Sequence, residues 1–213
     1  MVPTLLQATH DSLQLEELKC RKRVLRRLGF ATAADIVDIN ERVICEVTTG
    51  DELLLTELIF SGVFNPLLPE QCAALLSCFV FTEKVLSFLI DIPKELAGPL
   101  RTMQEVARRI AKVANESKLL VDDDDYVSSF NVELMDTVLQ WCRGASFFEI
   151  TKLTEQFEGN LVRVFRRLQE LIRQISKAAT VIGNLELEEK LKKASEMLER
   201  PNSVIFCSSL YLG

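Results

Sequence analysis

Five basic residues and one acid lie between positions 163 and 177: Arg163, Arg166, Arg167, Arg173 and Lys177, with Glu170 among them. The chain around them is acidic, with 25 Lys and Arg against 31 Asp and Glu. Arginine suits a phosphate backbone or a stacked base because its planar fork both pairs and stacks. One carboxylate among arginines adds an acceptor for a base amino group, which phosphate-only binding does not need. At 100° per residue, Arg166, Arg167, Glu170, Gln174 and Lys177 all fall within about 60° of Arg163. Leu161, Val164, Phe165, Leu168, Leu171, Ile172 and Ile175 fall on the other side. The long helix ending near residue 182 therefore reads as a core helix with one cationic stripe, roughly 20 Å long. Two readings of the stripe stand side by side. It is a solvated face with local ion pairs, such as Arg166 or Arg167 with Glu170, or it is a track for single-stranded nucleic acid.

A second basic helix, over 12–28, holds Lys19, Arg21, Lys22, Arg23, Arg26 and Arg27. Leu18, Val24, Leu25 and Leu28 make its expected buried side. Arg21 intrudes on that side and needs a partner or a route to water. This helix too is a candidate nucleic-acid or interdomain surface.

Other chemistry is excluded by what the sequence lacks. There is no Gly-Lys dipeptide, hence no P-loop, and neither GxGxxG nor GxSxG occurs. His10 is the single histidine, so no His-based triad or zinc cluster can be assembled. The acidic run Asp122 to Asp125 has none of the ligand order of an EF-hand and reads as a solvated loop. Cys20, Cys45, Cys72, Cys78, Cys142 and Cys207 form no C-x-x-C pair and read as buried, reduced thiols. The net charge of -6 argues against bulk attraction to nucleic acid. No signal peptide is expected, and the apolar runs are too short to span a bilayer. A soluble protein of the cytosol or nucleus is the expectation.

The elements that must position these residues are mostly helical. A short helical piece is expected at 31–39 and a strand or wing arm at 42–47, before a helix capped by Asp51. Asn65-Pro66 marks an expected domain boundary. Beyond it come a buried helix at 69–81, an ambiguous stretch at 82–93 and a helix at about 100–119 opened by Gly98-Pro99. Helices at 131–143 and 146–154, the long basic helix and a charged helix from Asn184 to about 200 complete the chain. The fold class is mainly α: a helical bundle preceded by part of a winged-helix domain with a short β element.

Several stretches together resemble one family. They are ELKCRKRVLRRLGFATAADI, DELLLTELIFSGVFN, ELAGPLRTMQEVARRIAKVANESKL, the W-x-x-G-x-x-F-x-x-I run from Trp141 to Ile150, FEGNLVRVFRRLQELIRQI, AATVIGNLEL and the terminal SLYL. They look like the C-terminal region of superkiller-type DExH-box RNA helicases, closest to the nuclear, exosome-associated branch. The resemblance implies that residues 1–65 are the C-terminal part of a winged-helix domain and 66–213 the helical bundle called the DSHCT domain. It implies that the long helix lies across an RNA path, with Arg163, Arg167 and Glu170 facing the RNA. The implied role is RNA guiding and bracing of an ATP-dependent helicase core, in RNA catabolism and rRNA processing in the nucleus. The implied partners are single-stranded RNA, RecA-like helicase domains in cis or trans, and the RNA exosome with its adaptor proteins; a membrane is not among them. No catalytic residue and no cofactor is expected in this chain, since ATP and Mg would belong to the RecA-like domains, which these residues do not contain. Two alternatives remain: an all-α adaptor that binds protein without RNA, and the equivalent part of the cytoplasmic mRNA-decay helicase.

Overall fold

The computed structural model describes residues 5–30, 46–82, 92–201, 203, 205 and 206. Among them nine α-helices follow in order, and no strand. They are α1 (Leu5–Arg27), α2 (Glu52–Phe60), α3 (Pro69–Leu76, extended by a 3-10 turn Ser77–Phe79), α4 (Lys94–Glu116), α5 (Asp123–Ser128), α6 (Met135–Cys142), α7 (Phe147–Ile150), α8 (Glu158–Val181) and α9 (Leu185–Glu199). The mainly helical class is therefore as expected. The expected helical piece at 31–39 lies outside the described residues, as do positions 42–45 of the expected strand and most of 82–93. Of the expected strand, Glu46 and Val47 are described, and neither is extended into a sheet. No described helix is long and apolar enough to cross a membrane.

Helix α8 is the centre of the bundle. Its 3.6-residue period buries Leu161, Val164, Phe165, Leu168, Leu171, Ile172 and Ile175 on one side, as the spacing predicts. That side packs along α9 and against α3, which in turn packs on α6 and α9. Each buried Leu or Phe contributes about 1.5–3 kcal/mol from removal of apolar surface. Val47, Leu54, Leu55, Leu58 and Phe64 join the same hydrophobic cluster as the later helices. Lys190 on α9 ties the two ends further, donating to the carbonyls of Phe64 (3.0 Å) and Asn65 (2.7 Å).

The Trp-Gly-Phe-Ile run acquires a physical account. Trp141 is buried at the end of α6, edge-on to Phe165 of α8 with ring centroids 5.6 Å apart. Its indole N–H donates to the Leu198 carbonyl of α9 at 2.8 Å. The Arg200 guanidinium lies 4.1 Å from the indole centroid and donates to the carbonyls of Ala145 and Trp141. Gly144 turns the chain with φ +112°, where a β-carbon would be strained. Ser146 and Glu149 then close a capping box that starts α7, and Ile150 is fully buried.

Four expectations are corrected. The run Asp122 to Asp125 is not a loop: Asp122 accepts from the amides of Asp124 and Asp125 at 3.0 and 2.9 Å and caps α5. Tyr126 of α5 donates to Asp51 at 2.9 Å, so the same Asp51 that caps α2 also anchors α5. Helix α4 begins at Lys94 rather than at Pro99, which sits in its second turn. Burial of Leu96 and Leu100 holds that turn helical despite the one backbone N–H that proline lacks. On α1, Leu18 is half exposed and Cys20 takes the buried place with Val24. Arg21 does not intrude: it faces water and pairs with Glu17 at 2.7 Å.

Cys20, Cys72, Cys78 and Cys142 are buried free thiols; burial pushes the last three up to about 12, so they stay protonated. Cys45 and Cys207 lie outside the described residues. Arg143, and then Gln71, hold the Glu95 carboxyl below its usual 4.5. The stability this adds is present above that value and is lost as pH falls through the lowered one.

Replacing Trp141 by Phe leaves the Leu198 carbonyl buried without its donor. The expected cost is about 1–3 kcal/mol, read as a lower urea midpoint with an unchanged denaturant slope.

Candidate nucleic-acid interface

The outer face of α8 is a stripe because its inner face is committed to the core. Arg163, Arg167 and Glu170 are all exposed. They share one open cleft of about 520 Å³ with Thr49, Gly159, Val162 and Arg166. Arg167 also stands on the wall of a larger cleft, about 1190 Å³, shared with Thr49, Gln104, Asp124, Ser128 and Asn131. The three residues singled out from the sequence are thus brought together on one surface.

Their partners differ sharply. Arg163 and Arg167 have neither a hydrogen bond nor an ion pair. As like charges one helical turn apart they destabilise α8 by about 0.2–0.5 kcal/mol. Glu170 is approached by Arg173 at 3.5 Å and accepts from the Gln174 amide at 3.2 Å. The ion pairs expected of a plain solvated face, Arg166 or Arg167 with Glu170, are therefore not the ones formed. Arg166 instead turns along the bundle and donates twice to the Ile205 carbonyl, at 3.0 and 2.8 Å. Lys177 pairs with Glu46 at 2.6 Å.

Gln174 has a role that the helical period does not reveal. Its oxygen accepts from the backbone amides of Thr48 and Thr49 at 2.9 and 3.1 Å. Its nitrogen donates to Thr48 Oγ1 and to Glu170, both at 3.2 Å. One amide thus pins a strap of chain across α8 and orients the carboxylate of the stripe. Gly50 lets that strap lie close: a β-carbon there would come within 2.9 Å of Leu55 Cδ1. Thr49, the strap's contribution to both clefts, has no sequence signal beyond the turn in which it sits.

The basic residues of α1 are arranged differently. Lys19 pairs with Glu16 at 2.7 Å, Arg21 with Glu17, and Arg27 with Glu116 of α4 at 3.2 Å. Arg23 contacts Cys20, and Lys22 and Arg26 are engaged as well. This helix offers a network of pairs rather than a row of free cations.

What the clefted stripe can do chemically is hold anionic phosphates by Arg163 and Arg167 and accept a hydrogen bond at Glu170. Comparison with known proteins places that stripe in a family. The DSHCT (NUC185) domain matches residues 34–207. The ATP-dependent RNA helicase mtr4 of Schizosaccharomyces pombe is 53% identical over 207 residues, 97% of this chain and 18% of the relative. The exosome RNA helicase MTR4 of Homo sapiens is 52% identical, covering 97% and 20%. The DExH-box ATP-dependent RNA helicase DExH10 of Arabidopsis thaliana is 44% identical, covering 92% and 20%. The chain belongs to the DSHCT family, and its likeness is to the C-terminal region of superkiller-type DExH-box RNA helicases. It spans about a fifth of the length of these relatives.

Two kinds of arginine on one helix predict two kinds of mutant. Arg166→Ala loses two charge-assisted bonds to a carbonyl and is expected to destabilise by about 1.5–3 kcal/mol. The double change Arg163→Ala/Arg167→Ala is expected to stay within about 0.5 kcal/mol of the parent, since neither side chain holds the fold. Thermal or urea unfolding of both variants reads the contrast.

Proposed function

We propose that this chain is the RNA-guiding and core-bracing module of an exosome-associated, ATP-dependent RNA helicase, acting in RNA processing and decay in the nucleus. The observation that carries the reading is the pair Arg163 and Arg167, exposed and unpaired beside Glu170 in one cleft of a DSHCT-family chain. In an acid-rich protein, two adjacent arginines without partners leave an unfavourable arrangement that a polyanion would relieve. RNA passing over α8 would place phosphates or base faces against the two guanidiniums, while Glu170 would accept from a base amino group. Such contacts track a strand without reading its sequence. The buried face of α8 makes the stripe rigid, which suits a guide along which RNA is moved by a motor located elsewhere. RecA-like domains in cis or trans would supply ATP, Mg and the power stroke, and the RNA exosome with its adaptors would receive the strand.

An adaptor that binds only protein, and the equivalent part of a cytoplasmic decay helicase, are the competing readings. Nothing in the geometry favours either.

The test uses a complete helicase that contains this chain. Arg167→Ala and Glu170→Ala are each expected to reduce RNA-stimulated ATPase and unwinding by several-fold or more. The unfolding temperature should not move. If both variants keep both activities, the guiding role is lost.

A further inference from the structure

Apart from Lys118 and Lys152, which lie in turns, six described cations have neither a side-chain hydrogen bond nor an ion pair, and these six fall on two helix faces. Arg163 and Arg167 are on α8. The other four, Lys94, Arg101, Arg108 and Lys112, are all exposed on α4. At 100° per residue these four lie within about 20° of one line along α4, spanning roughly 27 Å. Glu105, four residues after Arg101 and three before Arg108, lies about 40° off that line. Their neighbours on α4 are treated differently: Arg109 pairs with Glu57 of α2, and Glu116 pairs with Arg27 of α1. The fold therefore satisfies the flanks of α4 and leaves the central row unpaired, in a chain with more acids than bases.

The two rows are not remote from each other. Gln104, three residues after Arg101 and four before Arg108, lines the 1190 Å³ cleft whose wall also includes Arg167. Helix α4 and the α8 row thus meet at one trough, which Gln104 lines from a position about 60° round α4 from the four cations. Within the trough stand acceptors and hydroxyls: Asp124, Asp125, Ser128, Ser129 and Asn131.

We propose that the Lys94, Arg101, Arg108 and Lys112 face of α4 is a second RNA-backbone contact, which extends the path of α8 across this trough. This rests on the reading of α8 as an RNA guide. Cations one or two helical turns apart along one row suit the phosphates of a backbone. Carboxylates and hydroxyls within the trough suit the donors that RNA offers, its 2′-hydroxyls and base amino groups. An acidic polypeptide could satisfy the cations as well, but it offers no 2′-hydroxyls or base amino groups to the acceptors of the trough. RNA matches both parts.

The experiment measures binding of a labelled, unstructured single-stranded RNA to the full chain across a salt series. Three proteins are compared: the parent, Arg101→Gln/Arg108→Gln/Lys112→Gln, and Arg163→Gln/Arg167→Gln. Each lost phosphate contact flattens log affinity against log salt by about 0.7 for a single strand. The α4 variant is therefore expected to lose about 2 from the slope and the α8 variant about 1.4. All substituted side chains are exposed, and circular dichroism and unfolding temperature verify that each variant is folded. A slope that changes only in the α8 variant overturns the α4 contact while leaving the α8 guide standing. A slope that changes only in the α4 variant removes α8 from the path and overturns the proposal that α4 extends it. Displacement of the RNA by poly-glutamate of equal charge identifies an acidic-polypeptide surface and overturns the proposal. Absence of salt-dependent RNA binding by the parent overturns both.

Discussion

The burial of one face of α8 is the constraint on which the rest of the molecule depends. Leu161, Phe165, Leu168, Leu171, Ile172 and Ile175 are inaccessible to water, so α8 can neither rotate nor slide without exposing them. Because the helix is 24 residues long, that fixed inner face dictates a fixed outer one. Arg163, Arg167 and Glu170 occupy the outer face by period alone. The Trp141 junction, where α6, α8, α9 and Arg200 meet, fixes the helix from the side. The Gln174 amide holds the strap of residues 48 and 49 from above. A surface that must present charge at constant positions to a moving strand needs this kind of support, since side chains on a yielding helix would follow the strand instead of guiding it.

Charge is distributed with the same economy. Most described cations are answered by a partner, including those of α1, whose density of Lys and Arg makes it the more conspicuous basic segment. Local pairs one turn apart, such as Lys19 with Glu16 and Lys193 with Glu189, are weak individually. They nevertheless cancel field. Apart from Lys118 in the turn after α4, what is left uncancelled among the described residues lies on α4 and α8. A net-acidic protein can thus hold a cationic path without attracting polyanions over its whole surface.

Much of this arrangement was legible in the sequence because it follows from local rules. The core face of α8, the turn at Gly144, the cap of α2 by Asp51 and the start of α9 after Asn184 each depend on residues a few positions apart. The failures share a cause as well. The aspartates 122–125 look like a solvated run by charge, yet Asp122 caps a helix whose Tyr126 is docked on Asp51, 75 residues away. Proline at 99 signals a helix start until burial of Leu96 and Leu100 overrules it. At the site, Arg166 is indistinguishable from Arg163 and Arg167 by type and angle. Only the Ile205 carbonyl, 39 residues on, separates a fastening arginine from the two free ones. The same holds for Gln174, whose partners lie 125 and 126 residues back. On α4 the apolar face carries the stronger sequence signal and hides the row of cations.

The central claim is that RNA lies against the outer stripe of α8. Site-specific photo-crosslinking tests it most directly: a photoreactive side chain is placed at Val162, which lines the cleft, or at Glu189, on the exposed face of α9. Each protein is irradiated with RNA in a complete helicase. The account predicts an RNA adduct from position 162 that depends on Arg163 and Arg167, and none from position 189. Equal adducts from both positions, or adducts from 189 alone, would contradict it.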